Sequence, residues 1–184
     1  AGLGLDAADF DGRVPGIRKF VQQHKRKVGA ELGFDYAGLS DEQVSDVWQY
    51  DIFPNTFMTI QAEELWIYGP RPHPTDPDRC LFDKWTLQIP LEVGCDPARG
   101  LTLNPRLEAS REGERPEHEV FTAQDVIDGR HSLTITLDQD IHYLADMQAG
   151  MHSRGFDRAL LNEHEVRVQH LHDWVDAWSA QDLV

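Results

Sequence analysis

The sequence predicts an α+β fold, an antiparallel sheet packed on C-terminal helices in a helix-grip-like arrangement, and three observations carry that expectation. Runs of β-branched and aromatic residues lie together between Ile52 and Ile89. Helix-period patterns opened by capping residues stand before and after them. The strands do not alternate with helices, as a parallel sheet requires, so short hairpin connections are expected.

Taken in order, Ile17 to about Val28 reads as a helix, and Ser40 with Gln43 forms the spacing of a capping box that opens a short segment to Gln49. Ile52 to Gln61 and Glu64 to Tyr68 read as strands joined by a tight connection at Gln61 to Glu63. Four prolines within the eleven residues GPRPHPTDPDR mark a loop, because proline removes a ladder donor. Phe82 to Ile89 alternates and reads as a third strand. Pro90 to Gly129 is polar and broken by Pro and Gly, in the manner of an insertion or lid, with one short helix at Thr122 to Asp128. His131 to Leu137 (HSLTITL) reads as a last strand, after which Thr136 and Gln139 cap a helix that Gly155 ends. Asn162 with Glu165 opens the final helix, on which His164, Val168, Leu171, Val175 and Trp178 share a face.

A chain of 184 residues suits one well-buried core, so residues 1–184 are expected to form a single domain. A formal charge of −15 opposes general nucleic-acid binding, which needs a basic surface. No apolar run is long enough to span a membrane, and AGLGLDAADF lacks the plan of a signal peptide, so a cytoplasmic protein is expected. Its GLGL pair lacks the third glycine and preceding strand of a phosphate cradle. Cys80 and Cys95 have no CxxC or CxH spacing, which fits a reducing compartment and excludes a cysteine-ligated zinc or iron–sulfur centre within this chain. Arg18, Lys19, Lys25, Arg26 and Lys27 form a basic island that reads as a solvated helix face.

The most informative stretch is LDQDIHYLADMQAGMHSRGF, Leu137 to Phe156. At about 100° per residue, Asp140 shares a helix face with Leu144, Met147 and Met151, whereas Asp138 points elsewhere. A carboxylate on an apolar face needs a cation, a metal or several donors; an ordinary first-turn acid on the helix dipole is the competing reading. The nine histidines do not assemble a site by spacing: there is no HExxH, HxxxH or HxxxxH pair, and His170 and His172 point about 200° apart on a helix. Serine and cysteine nucleophiles lack their usual settings.

YDIFPNTFMTI followed by ELWIYGPRP, then DQDIHYLADMQAGMHSRGF, then LLNEHEVRVQHLHDWVDAWS together resemble the C-terminal part of the catalytic domain of the Rieske-type aromatic ring-hydroxylating oxygenase alpha subunit. The resemblance covers most of Val44 to Trp178 and implies that Asp140 is the carboxylate of a two-histidine, one-carboxylate iron(II) site. It further implies O2-dependent hydroxylation of an aromatic or other organic substrate, a [2Fe–2S] Rieske cluster, ferredoxin or reductase as electron donor, and a homotrimer or alpha-beta hexamer. Phe53, Phe57 and Leu144 are the candidate pocket residues. The family's CxH and CxxH cluster motifs and its paired iron histidines do not occur in this sequence. The chain is therefore expected to be a portion without the Rieske domain and the iron-histidine segment, inactive and metal-free by itself. The alternative is a non-catalytic helix-grip module for a hydrophobic ligand.

Overall fold

A computed structural model describes residues 14–31, 34–88 and 117–181. The element order is α1 (Val14–Glu31), α2 (Asp41–Ser45), β1 (Trp48–Ile52), β2 (Thr56–Ile60), β3 (Glu64–Pro72), β4 (Cys80–Gln88), α3 (Ala123–Ile127), α4 (Ile135–Met151), a 3-10 turn (Glu163–Glu165) and α5 (Val166–Ser179). The antiparallel sheet has the order β1-β2-β3-β4, and the predicted α+β class is observed. The GLGL segment, Cys95 and most of the proposed insertion lie outside the described residues.

The chain forms two compact units, one of Ala1–Tyr50, Phe57–Gly69 and Asp83–Val120, the other of Asp51–Thr56, Pro70–Phe82 and Phe121–Val184. In the first unit, Phe34, Tyr36 and Val44 make the buried core, with Val28, Leu39 and Ala62 packed against them. The predicted capping box holds α2: the Ser40 hydroxyl accepts from the Gln43 N–H, and the Gln43 side chain accepts from the Ser40 N–H. That pair fixes the helix start and so drives Val44 into the core, where it is 1% exposed.

Three of the five residues of the basic island on α1 are tethers, while Lys19 and Lys27 stay on the solvated face. Arg18 pairs with Asp46, and Arg26 reaches Asp41 and the carbonyls of Tyr36 and Leu39. Lys25 pairs with Glu63, whose side chain is 2% exposed, and the Tyr36 hydroxyl donates to the same carboxylate at 2.6 Å. Burial, and then the adjacent Glu63 carboxylate, hold the Tyr36 hydroxyl un-ionised far above the ordinary tyrosine range. Gly29 is required beside this cluster, since a Cβ there would lie 2.1 Å from Tyr36 Cε2.

The expected strand from Ile52 to Gln61 is two strands. A turn at Phe53–Pro54–Asn55, with a cis bond before Pro54, separates β1 from β2, as the missing proline donor requires. The connection at Gln61 to Glu63 is as expected: the Gln61 N–H donates to the Glu64 carbonyl, and β2 pairs antiparallel with β3 in the register Phe57↔Tyr68, Thr59↔Trp66, Ile60↔Leu65. Thr59 and Trp66 face one another and are buried, and Lys84 on β4 lies 5.0 Å from the Trp66 ring centroid.

In the second unit, Thr122 and Asp125 form the expected capping box of α3, and Arg130 braces Asp125 and Asp128. HSLTITL is not a strand. His131 to Thr134 are irregular and α4 starts at Ile135, so the β-propensity of Thr and Ile yields to a helical continuation. Helix α4 ends at Met151 with His152 as its C-cap, four residues before the expected Gly155. Asn162 and Glu165 form the expected box, opening the 3-10 turn that leads into α5.

Candidate functional site

Asp138 and Asp140 lie two residues apart on α4 and differ in every respect that bears on chemistry. Asp138 is consumed by the helix start: one carboxylate oxygen accepts from the Leu133 N–H at 2.8 Å and the other from the Ser132 hydroxyl at 2.6 Å. Partial burial pushes its pKa up, but the Ser132, Leu133 and Thr134 hydrogen bonds outweigh this and hold it below the usual carboxylate value. The cap that the sequence assigns to Thr136 and Gln139 is not formed: Thr134 stands at the N-cap without a side-chain cap hydrogen bond, and Asp138, inside the helix, ties its start back to Ser132 and Leu133. Thr134, at the cap position, has φ +151° and a buried hydroxyl with no hydrogen-bond partner.

Asp140 has no hydrogen bond or ion pair among the described residues and is exposed. The face it shares is exposed as well, with Leu144 at 56%, Met147 at 61% and Met151 at 54%. The expectation that this face turns inward is therefore not met within the described residues. His142, two positions on, points away and bonds the Asp138 carbonyl through Nδ1 at 2.6 Å. No group of three His, Cys, Asp or Glu among the described residues is arranged to hold a metal ion. One carboxylate fills one position of a facial triad, and two histidines would have to be added to it.

Of the three candidate pocket residues, Phe53 lies in a cleft. An open cavity of about 400 Å3 is lined by Asp51, Phe53, Val166, Arg167, Leu171 and Trp174, with His170 beside them. Phe53 is held there from two sides. The Asn55 side chain ties its turn to the Pro70 carbonyl at 3.1 Å, and Trp174 and Trp178 of α5 each place a ring 6.1 Å from the Phe53 centroid. The Trp174 indole N–H donates to His170 Nε2 at 3.0 Å, which makes Nε2 the unprotonated nitrogen in this contact. Phe57 and Leu144 do not line this cavity.

Sequence reasoning missed Trp174 and Arg167. Of the face expected to turn inward on the last helix, Leu171 is half-buried while His164, Val168, Val175 and Trp178 are exposed; Trp174 is exposed as well, although its ring and that of Trp178 meet Phe53. The i, i+4 spacing of His170, Trp174 and Trp178 was the available signal.

No helix among the described residues is long and apolar enough to cross a membrane. No curated protein and no solved structure gives a match to this chain. A family model does: the ring hydroxylating alpha subunit (catalytic domain) matches residues 10–181, which takes in every described element. The chain belongs to the ring-hydroxylating alpha subunit catalytic-domain family.

Proposed function

We propose that this chain is the carboxylate-bearing portion of a Rieske non-haem iron oxygenase catalytic domain, with Asp140 as the one ligand it gives to mononuclear iron(II). The observation that carries the reading is the family match over residues 10–181, within which Asp138 is occupied by Ser132 and Leu133 while Asp140, like Asp146 further along α4, is exposed and unpartnered among the described residues. The described residues do not fit the ion by themselves, because no second and third donor stand beside Asp140. Iron(II) on two histidines and one carboxylate would supply O2 activation for hydroxylating an aromatic or other organic substrate. Electrons would reach it from a ferredoxin or reductase through a Rieske cluster, in a cytoplasmic homotrimer or alpha-beta hexamer. Phe53, Phe57 and Leu144 are proposed to contribute apolar surface to substrate binding.

The test reads metal before activity. Purified residues 1–184 are expected to hold well under one iron per chain, since one carboxylate competes poorly with water. In an oxygenase that joins this sequence to the two histidines, Asp140→Ala is expected to lose the mononuclear iron and keep the Rieske absorbance. Full iron content in that variant would remove Asp140 from the site. The second reading, a metal-free module for a hydrophobic ligand, draws on the Phe53–Trp174 cleft. It would gain if the isolated chain bound an apolar probe tightly and Phe53→Ala abolished that binding.

A further inference from the structure

The loop between β3 and β4 and the last turn of α4 meet through three side chains far apart in sequence. Asp78 Oδ1 accepts from the Gln148 amide at 3.0 Å and lies 2.8 Å from His152 Nε2. The loop is built to present that carboxylate. The His73 N–H donates to the Arg79 carbonyl, the Arg79 N–H to the Asp76 carbonyl, and the Asp78 N–H to the Asp76 side chain at 3.0 Å, while Pro74 and Pro77 restrict the remaining backbone freedom. On the other side, Gln148 and His152 are one turn apart, so both reach one oxygen from the same helix face. His152 is also the C-cap of α4, where the helix dipole favours a positive charge.

We propose that this loop is a latch on α4, with Asp78 as the catch and Gln148 and His152 as the two contacts that set the position of the helix end. The charged groups paired at the latch are Asp78 and His152; within the loop the Asp76 carboxylate accepts from the Asp78 N–H, and Arg79 takes part through its backbone. The latch needs an ionised Asp78, and it is strongest when His152 is also protonated, because charge-assisted hydrogen bonds are the stronger kind. Hydrogen bonds from His152 and then Gln148 hold the Asp78 carboxyl below the usual range. The latch is therefore present above the ordinary carboxylate range and released as pH falls through the lowered Asp78 value. Its consequence for oxygenase chemistry, that Asp78 and His152 are positioning residues for Asp140, rests on the reading that Asp140 is an iron ligand. The latch itself does not.

The experiment uses residues 1–184, with a carboxyl-carbon NMR titration of Asp78 and amide hydrogen exchange along α4. Wild-type Asp78 is expected to titrate below about 3.9, the model-peptide value, and to move upward in His152→Ala and in Gln148→Ala. Amides 148–152 should exchange about two- to fivefold faster in both variants, the size expected of exposed polar contacts. An Asp78 midpoint at the ordinary value in the wild type, or one that neither substitution moves, would overturn the latch. None of these readouts involves iron, so failure here and loss of the Asp140 assignment are told apart.

Discussion

Removing the Glu63 carboxylate is the most searching test of the first unit, because one side chain there satisfies two others. Glu63 is 2% exposed, accepts the Tyr36 hydroxyl at 2.6 Å and pairs with Lys25 at 2.9 Å. Glu63→Ala leaves a phenol donor without its acceptor and an ammonium without its counter-ion. Breaking a buried ion pair from one side costs about 3–5 kcal/mol, and an orphaned buried donor about 1–3 kcal/mol. The two overlap, and the Lys25 side chain, 15% exposed, can swing toward water, so the low end applies: about 3 kcal/mol. Glu63→Gln keeps an acceptor for both partners and should cost only about 1 kcal/mol. The assay is urea unfolding followed by tryptophan fluorescence. With a slope of about 2 kcal/mol per molar, Glu63→Ala should lower the midpoint by about 1.5 M and Glu63→Gln by about 0.5 M. The Tyr36 hydroxyl, held above its ordinary range, should ionise at lower pH in both variants, read by absorbance near 295 nm. Because its folded pKa is raised, Tyr36 contributes stability that is complete below the ordinary tyrosine range and is lost as pH rises through the folded value. A Glu63→Ala midpoint within about 0.2 M of wild type, at the same slope, would refute the reasoning.

Two further outcomes follow from local geometry. Gly29→Ala places a Cβ 2.1 Å from Tyr36 Cε2 and must displace a core ring, so unfolding measurements should show a loss of about 1–3 kcal/mol, the range for overpacking. Asp138→Ala removes the hydrogen bonds that tie the start of α4 to Ser132 and Leu133 and should cost about 1 kcal/mol by the same measurement; its stabilising share, from a lowered pKa, is present above the ordinary carboxylate range and lost as pH falls through the folded value.

The parts of the fold that could be read directly are those decided within four residues. Ser40 with Gln43, Thr122 with Asp125 and Asn162 with Glu165 each announce a helix start, because the reciprocal hydrogen bonds join neighbours along the chain. The connection at Gln61 to Glu63 is equally local. The break at Phe53–Pro54–Asn55 was hidden by aromatic and β-branched residues on both sides of it, although Pro54 itself carried the warning. The basic island failed for the opposite reason. Arg18, Lys25 and Arg26 find partners 10 to 38 positions away, and no periodicity encodes which acid a lysine will meet. The Phe53–Trp174 contact is of the same kind, since it joins a turn to a helix more than a hundred residues later.

The candidate site turned on a smaller matter, the residue at which α4 begins. A start at Thr136 makes Asp138 and Asp140 two acids of one first turn, each competing for the helix dipole. A start at Ile135 places Asp138 where it ties the helix start back to the preceding segment, its two oxygens taken by Ser132 and Leu133. Asp140 then has no such duty, and a carboxylate with no structural task is free to serve as a ligand in a way that a tied carboxylate is not, since ligation by Asp138 would break the hydrogen bonds that hold its own helix. The face that Asp140 shares with Leu144, Met147 and Met151 is exposed, so hydrogen bonding, and not direction, separates the two acids. Of the two acids in the first turns of α4, Asp140 is therefore the one proposed as ligand, since it can be engaged without unmaking the helix start that Asp138 holds.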